Sequence, residues 1–169
     1  MKKLLVVCMG NICRSPMALV VLRTLVARSG KQSLFSVDSA GTHAGALGER
    51  PDPRAEAALL RRGYDLGRIR SRKVSAGDFS KFDLIFAMDA NNLSELKRAL
   101  PPSEADRATE KLHLYLDFGA PVGSPYQQAD VPDPYYGNTA GFERVLDLCE
   151  IGAQQILNKL VDGSALERR

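Results

Sequence analysis

No apolar run in this sequence approaches the ~20 residues of a membrane span, so a spanning helix is not expected. Cysteine occurs three times in 169 residues, an odd and sparse count for a secreted disulfide scaffold. The opening Met1-Lys2-Lys3 before Leu4-Leu5-Val6-Val7 imitates a secretory leader, but Gly10, Asn11 and then Arg14 interrupt it too early. A reducing cytoplasm is the expected location. The formal net charge of +3 is too small and too evenly spread for a nucleic-acid surface, and a nucleic-acid partner is not expected. The only two histidines, His43 and His113, have no companion at metal-ligand spacing, so no metal is expected. The dinucleotide fingerprint GxGxxG is missing. No repeat, low-complexity tract or dividing linker is present, and the chain reads as one domain over 1–169.

What is present is alternation. Short runs rich in Leu, Val, Ile or Phe at Lys3 to Val7, Leu34 to Asp38, Asp83 to Ala87 and Lys111 to Leu116 read as strands. Amphipathic segments between them read as helices, which is the α/β pattern. The first helix is predicted to start with Ser15 as N-cap and Pro16 at the first helical position, and to run towards Ser29. The second has Asp52 as cap, Pro53 first and Gly63 at its stop. A third covers Asn91 to Leu100. The last starts near Thr139, with Phe142, Val145, Leu146, Cys149, Ile156, Leu157 and Leu160 on one stripe. That stripe makes Cys149 a core residue.

The chemistry concentrates in residues 6–18, VVCMGNICRSPMA. Cys8 falls at the carboxyl end of the first strand, where parallel α/β sheets bind ligands. Residues 9–14, with Met9, Gly10, Asn11, Ile12 and Cys13, form a short loop entering a helix N-terminus. Backbone N–H groups in such a loop make a site for a tetrahedral anion, and Gly10 is expected to help it curl. Arg14 adds a planar fork that can grip two phosphate oxygens. The same helix end and cation lower the pKa of a nearby thiol from about 8.5, favouring a nucleophilic thiolate at Cys8. Ser15 can donate a hydrogen bond to it.

CMGNICRS near the N-terminus, followed by DSAGT at 38–42, PDPRA at 51–55, FDLIFAMDANNL at 82–93 and DPYYG at 133–137, resembles the low-molecular-weight protein tyrosine phosphatases over nearly the whole chain. The resemblance implies a single domain with a four-stranded parallel sheet flanked by helices on both faces. It implies Cys8 as nucleophile, Arg14 as phosphate ligand, Asn11 and Ser39 as holders of the loop, Ser15 as support for the thiolate, and Asp133 as general acid. Met9 through Cys13 and Ser15 then line the phosphate site, with Tyr135 and Tyr136 walling an aryl ring. The implied activity is hydrolysis of phosphotyrosine in proteins through a phosphocysteine, by a monomer or weak dimer without cofactors. Cys13, five positions from Cys8, is expected to act as a redox guard.

Two departures stand out against the resemblance. Many relatives carry an aromatic residue, often tryptophan, after the SAGT stretch; this chain has no tryptophan, and Gly45 stands there within HAGALGER at 43–50. One pocket wall is therefore expected to be absent or built from Leu47. Ile69 stands where some members place a histidine that supports the phosphate loop. Arsenate reductases of the same fold need a relay cysteine downstream, and Leu66 to Ala140 contains none. A phosphoarginine-hydrolysing branch carries threonine where this chain has Ile12. A non-catalytic phosphotyrosine-binding module is opposed by the presence of both Cys8 and Asp133.

Overall fold

The structure, a computed structural model, describes residues 1–45 and 47–166; Ala46 of the HAGALGER stretch and residues 167–169 of the expected domain lie outside them. Four parallel strands, β1 (Lys2–Cys8), β2 (Phe35–Gly41), β3 (Leu84–Ala87) and β4 (Leu112–Leu114), form one sheet in the order β2-β1-β3-β4. Its six α-helices among the described residues are α1 (Arg14–Arg28), α2 (Pro53–Arg61), α3 (Ala76–Lys81), α4 (Ala90–Ala99), α5 (Ala108–Lys111) and α6 (Thr139–Leu166), with a 3-10 turn at Pro102–Arg107.

Strand side chains alternate between faces, so β1 feeds two cores. Leu4, Val6 and Cys8 join Met17 and Leu22 of α1, Ala58 and Leu59 of α2, and Phe142, Leu146 and Cys149 of α6. Leu5 and Val7 join Phe79 of α3 and Leu96 of α4 on the other face. Helices thus cover both faces, as expected. Each such buried leucine matters: truncation to alanine typically costs ~2–5 kcal/mol. No helix among the described residues is long and apolar enough to cross a membrane.

Several boundaries differ from the sequence reading. Strand β2 continues to Gly41, past Asp38, because Ser39, Ala40 and Gly41 pair in register with Val6, Val7 and Cys8 of the central strand. Pairing outweighs the low strand preference of those three residues. Strand β4 is shorter than expected, since Lys111 ends α5 and only Leu112–Leu114 join the sheet. His113 stacks near Phe86 and Phe118 while Leu112 and Leu114 face the opposite core, the alternation a strand requires.

The start of α1 is a correction. The N-cap is Cys13, not Ser15, and the first intrahelical bond runs from Met17 N to Cys13 O. Pro16 is consequently the third helical residue. It is tolerated there because the first four helical N–H groups have no intrahelical acceptor in any case. The second helix agrees with the sequence: Asp52 accepts from Arg54 N at 2.8 Å, Pro53 is first, and Gly63 takes a φ of 75° beyond the last turn.

Candidate active site

Cys8 ends the central strand, and the next five residues curl under it before α1 begins. The left-handed residue of this loop is Asn11, with φ 55°, rather than Gly10. Asparagine tolerates that conformation better than most side chains, and here the fold over-determines it. Asn11 is wholly buried; its Nδ2 donates to Ser15 Oγ (2.8 Å) and Ser39 Oγ (3.0 Å), and its Oδ1 accepts from Arg72 N (2.9 Å). The amide therefore has its partners without a histidine, and Ile69 is a buried apolar residue of the larger core. Arg72 is itself pinned by Asp38 (3.0 Å) and Asp78 (2.9 Å). Gly41 is required beside the loop, because a Cβ there would lie 2.6 Å from Met9 O.

The loop carbonyls are turned outward. Those of Cys8, Met9 and Ile12 accept from the N–H groups of Thr42, His43 and Asp52, at 2.8 to 2.9 Å. The Cys13 carbonyl is taken by the first bond of α1. The loop peptides are trans, so the N–H groups of Gly10, Cys13 and Arg14 point the opposite way, towards the hollow. That is a cradle for a tetrahedral anion.

Sulfur sits at its floor. Asn11 N donates to Cys8 Sγ at 3.3 Å, and Ser15 Oγ lies 3.0 Å from it. Because Asn11 Nδ2 already donates to the Ser15 oxygen, the hydroxyl proton is free for an acceptor, and Cys8 Sγ is nearer than Ala40 O at 3.4 Å. Of the two roles expected of Ser15, its hydroxyl meets the thiol and does not cap the helix.

Arg14 is only 3% exposed, and its side chain closes the cradle. Burial works against its charge, but the hydrogen bond it donates to Asp89 and the nearby Cys8, Asp89 and Asp133 more than offset this and raise its pKa further. Nη1 donates to Asp89 Oδ2 at 2.5 Å and to Val131 O at 3.0 Å, and Nη2 faces Asp133 Oδ2 at 3.5 Å. Asp89 was not singled out in the sequence. Its visible signal was an aspartate three residues before Asn92, whose N–H it caps at 2.7 Å to start α4.

Asp133, between two prolines in an irregular segment, is half exposed and accepts from Tyr135 N at 3.1 Å. Cys8, Met9, Gly10, Ile12, Cys13, Arg14, Asp133, Tyr135 and Tyr136 line a common cavity of about 180 Å³. The two tyrosine rings meet edge to face with centroids 4.9 Å apart. Leu47 does not contribute to this lining and is 71% exposed; the side marked by Gly45 instead continues into a second hollow past Glu49 and Asp52. Cys13 is buried, and burial together with Asp52, Cys8 and Asp133 pushes its thiol up to about 12. Cys149 is buried in the α6 core, as its stripe predicted, and burial raises its pKa strongly. Among the described residues, no group of three or more His, Cys, Asp or Glu could hold a metal ion.

A parallel α/β sheet with a cysteine at the bottom of an N–H cradle, an arginine across it and a carboxylate at its mouth is an arrangement that can hold a tetrahedral anion over a thiol. The comparisons narrow this to a family. The low molecular weight phosphotyrosine protein phosphatase family model matches residues 3–165, and the chain belongs to that family. It is similar to a low molecular weight protein-tyrosine-phosphatase of Streptomyces coelicolor, at 43% identity over 89% of this chain and 88% of that one. Among solved structures it is similar to a protein tyrosine phosphatase from Entamoeba histolytica with Hepes in the active site: TM-score 0.85, 36% identity, 97% of this chain and 99% of that one. YfkJ from Bacillus subtilis superposes with a TM-score of 0.84 at 36% identity, covering 96% of each chain. The protein is accordingly a hydrolase with protein tyrosine phosphatase activity.

Proposed function

We propose that the protein hydrolyses phosphotyrosine in proteins by a two-step route through a phosphocysteine on Cys8. The observation that carries this reading is the convergence of Cys8 Sγ, the Arg14 fork and the Asp133 carboxylate on one cavity, with Arg14 Nη2 and Asp133 Oδ2 3.5 Å apart. The sulfur anion attacks phosphorus in line while the P–O bond to the phenol breaks. Loop N–H groups and Arg14 carry the charge of the equatorial oxygens. Asp133 gives its proton to the departing phenolate, then as carboxylate takes a proton from the water that cleaves the P–S bond. Ser15 hydrogen bonds the sulfur as it leaves.

Tyr135 and Tyr136 flank the mouth, so an aryl ring lies along apolar surface while its phosphate reaches the floor. A short phosphoserine side chain lacks that reach. The charge stabilisation in this scheme comes from Arg14 and backbone amides, and no cofactor takes part.

The test is rapid acid quench with a labelled phosphotyrosyl peptide. Wild type should yield label on the peptide containing Cys8, and Cys8→Ser should turn over nothing measurable while still binding phosphate. Substantial turnover by Cys8→Ser would overturn the route.

A further inference from the structure

The segment bearing Asp133 has no regular structure, and the Arg14 Nη2 that faces its carboxylate at 3.5 Å would be shared with the phosphate of a bound substrate. Something else has to hold the acid in place at that moment. The candidate is a chain of contacts that begins in the phosphate loop. Asp52 N donates to Ile12 O at 2.8 Å, and the charge of the Asp52 carboxylate is one of the causes that push the Cys13 thiol up. The same carboxylate grips Arg54 in bidentate fashion, from Nε at 3.0 Å and from Nη2 at 2.8 Å. This fixes the plane of the guanidinium. Arg54 then packs on two rings: its Cζ is 4.7 Å from the centroid of Phe142, at the start of α6, and 5.6 Å from that of Tyr135. Tyr135 N in turn donates to Asp133 Oδ1 at 3.1 Å.

We propose that Arg54 is a positioning residue, which holds Asp133 at the phosphate site by clamping Tyr135 against the start of α2. Asp52 supplies a fixed anchor because it caps α2 and is bonded to the phosphate loop, and Phe142 backs the guanidinium from a core helix. The ring of Tyr135 therefore serves the acid as well as the pocket wall. None of these contacts uses Arg14 or the cradle N–H groups, so the clamp persists when phosphate arrives. Lysine at 54 would keep the charge but lose both the bidentate grip and the planar face.

This inference rests on Asp133 as the general acid, and the experiment separates the two. Steady-state rates are measured for Arg54→Met, Arg54→Lys and Asp133→Ala on aryl phosphates whose phenols range from acidic to weakly acidic. Both Arg54 variants should lose about 10-fold in kcat on the weakly acidic phenols, a fraction of the ~10²- to 10⁴-fold that general acid catalysis contributes, and change little on the most acidic. Inhibition by inorganic phosphate should be unchanged. Added to Asp133→Ala, either substitution should cost nothing further on the poor leaving groups. A loss equal across all phenols, or one that adds in full to that of Asp133→Ala, overturns the positioning role while leaving the acid in place. An Asp133→Ala variant with no dependence on leaving group overturns both. Should Arg54→Met fail to fold, Arg54→Lys carries the test.

Discussion

Arg14 Nη1 and Asp89 Oδ2 lie 2.5 Å apart, an ion pair whose arginine is 3% and whose aspartate is 18% exposed. Asp89 is also the cap of α4, so the Arg14 side chain, the proposed phosphate ligand, is aimed by a residue that is itself fixed by a helix end. Asp89→Asn keeps the cap but loses the charge. A charged hydrogen bond is worth roughly 1.5–3 kcal/mol, so kcat/KM should fall by about 10- to 100-fold. Arg14→Lys should lose more, because it removes the fork as well. Inhibition by inorganic phosphate should weaken in both, and unchanged phosphate affinity in Asp89→Asn would remove its aiming role.

Cys13 is proposed to capture oxidised Cys8. Peroxide converts the Cys8 thiolate to a sulfenic acid, and attack by Cys13 sulfur forms the disulfide and releases water. With its thiol pushed up to about 12, Cys13 reacts through a small thiolate fraction, so capture should accelerate as pH rises from about 6 to about 9. Mass spectrometry should find a Cys8 to Cys13 disulfide, and dithiol should restore activity. Cys13→Ser should keep initial activity yet recover poorly. Equal recovery of both proteins after matched oxidation would exclude the guard.

The same high value predicts resistance to alkylation. Near neutral pH iodoacetate should leave Cys13 and Cys149 unmodified until the chain unfolds, since burial holds both as neutral thiols. Early labelling of Cys13, read by peptide mapping, would contradict its raised pKa.

His113 makes stability depend on pH. Burial holds its imidazole below the ordinary value of 6.5, with Nε2 2.9 Å from Glu110 O and the ring 4.8 Å from that of Phe118. The unfolded chain therefore takes up the proton first, and stability falls as pH drops through about 6.5. His113→Phe removes that titration. Its unfolding midpoint should decline less than that of wild type between about pH 7.5 and about 5.5. Equal declines would show that His113 does not carry the effect.

Much of the site was legible because its signals are local. A cysteine after an apolar run, a loop with glycine and asparagine, and an arginine before Ser-Pro lie within eleven consecutive residues, from Val6 to Pro16. The alternation of strand and helix segments and the stripe on α6 likewise follow from backbone periodicity, which is why the α/β class and the buried Cys149 could be read in advance, whereas the four-stranded parallel sheet with helices on both faces came from the resemblance. Asp52 and Pro53 announced their helix through chemistry confined to one turn.

The remainder depended on partners distant in sequence. Ser15 could cap a helix or meet a thiol, and only the packing of Asn11 and Ser39 around it decided for Cys8. Left-handed backbone fell to Asn11 instead of Gly10 because three side-chain hydrogen bonds, one from Arg72 sixty-one positions away, hold it there. Asp89 and Asp133 reach Arg14 from seventy-five and one hundred and nineteen positions on. Such contacts leave no periodic trace in a sequence, since each is made only when β1, β3 and the segment before α6 meet at one edge of the sheet. The amino-acid sequence by itself determined the nucleophile's setting and the α/β class, through local backbone preference and apolar spacing. Tertiary structure alone decided what pairs with Arg14, what satisfies the loop and what surrounds Asp133, because those are long-range electrostatic and hydrogen-bond pairings that exist only in the folded chain.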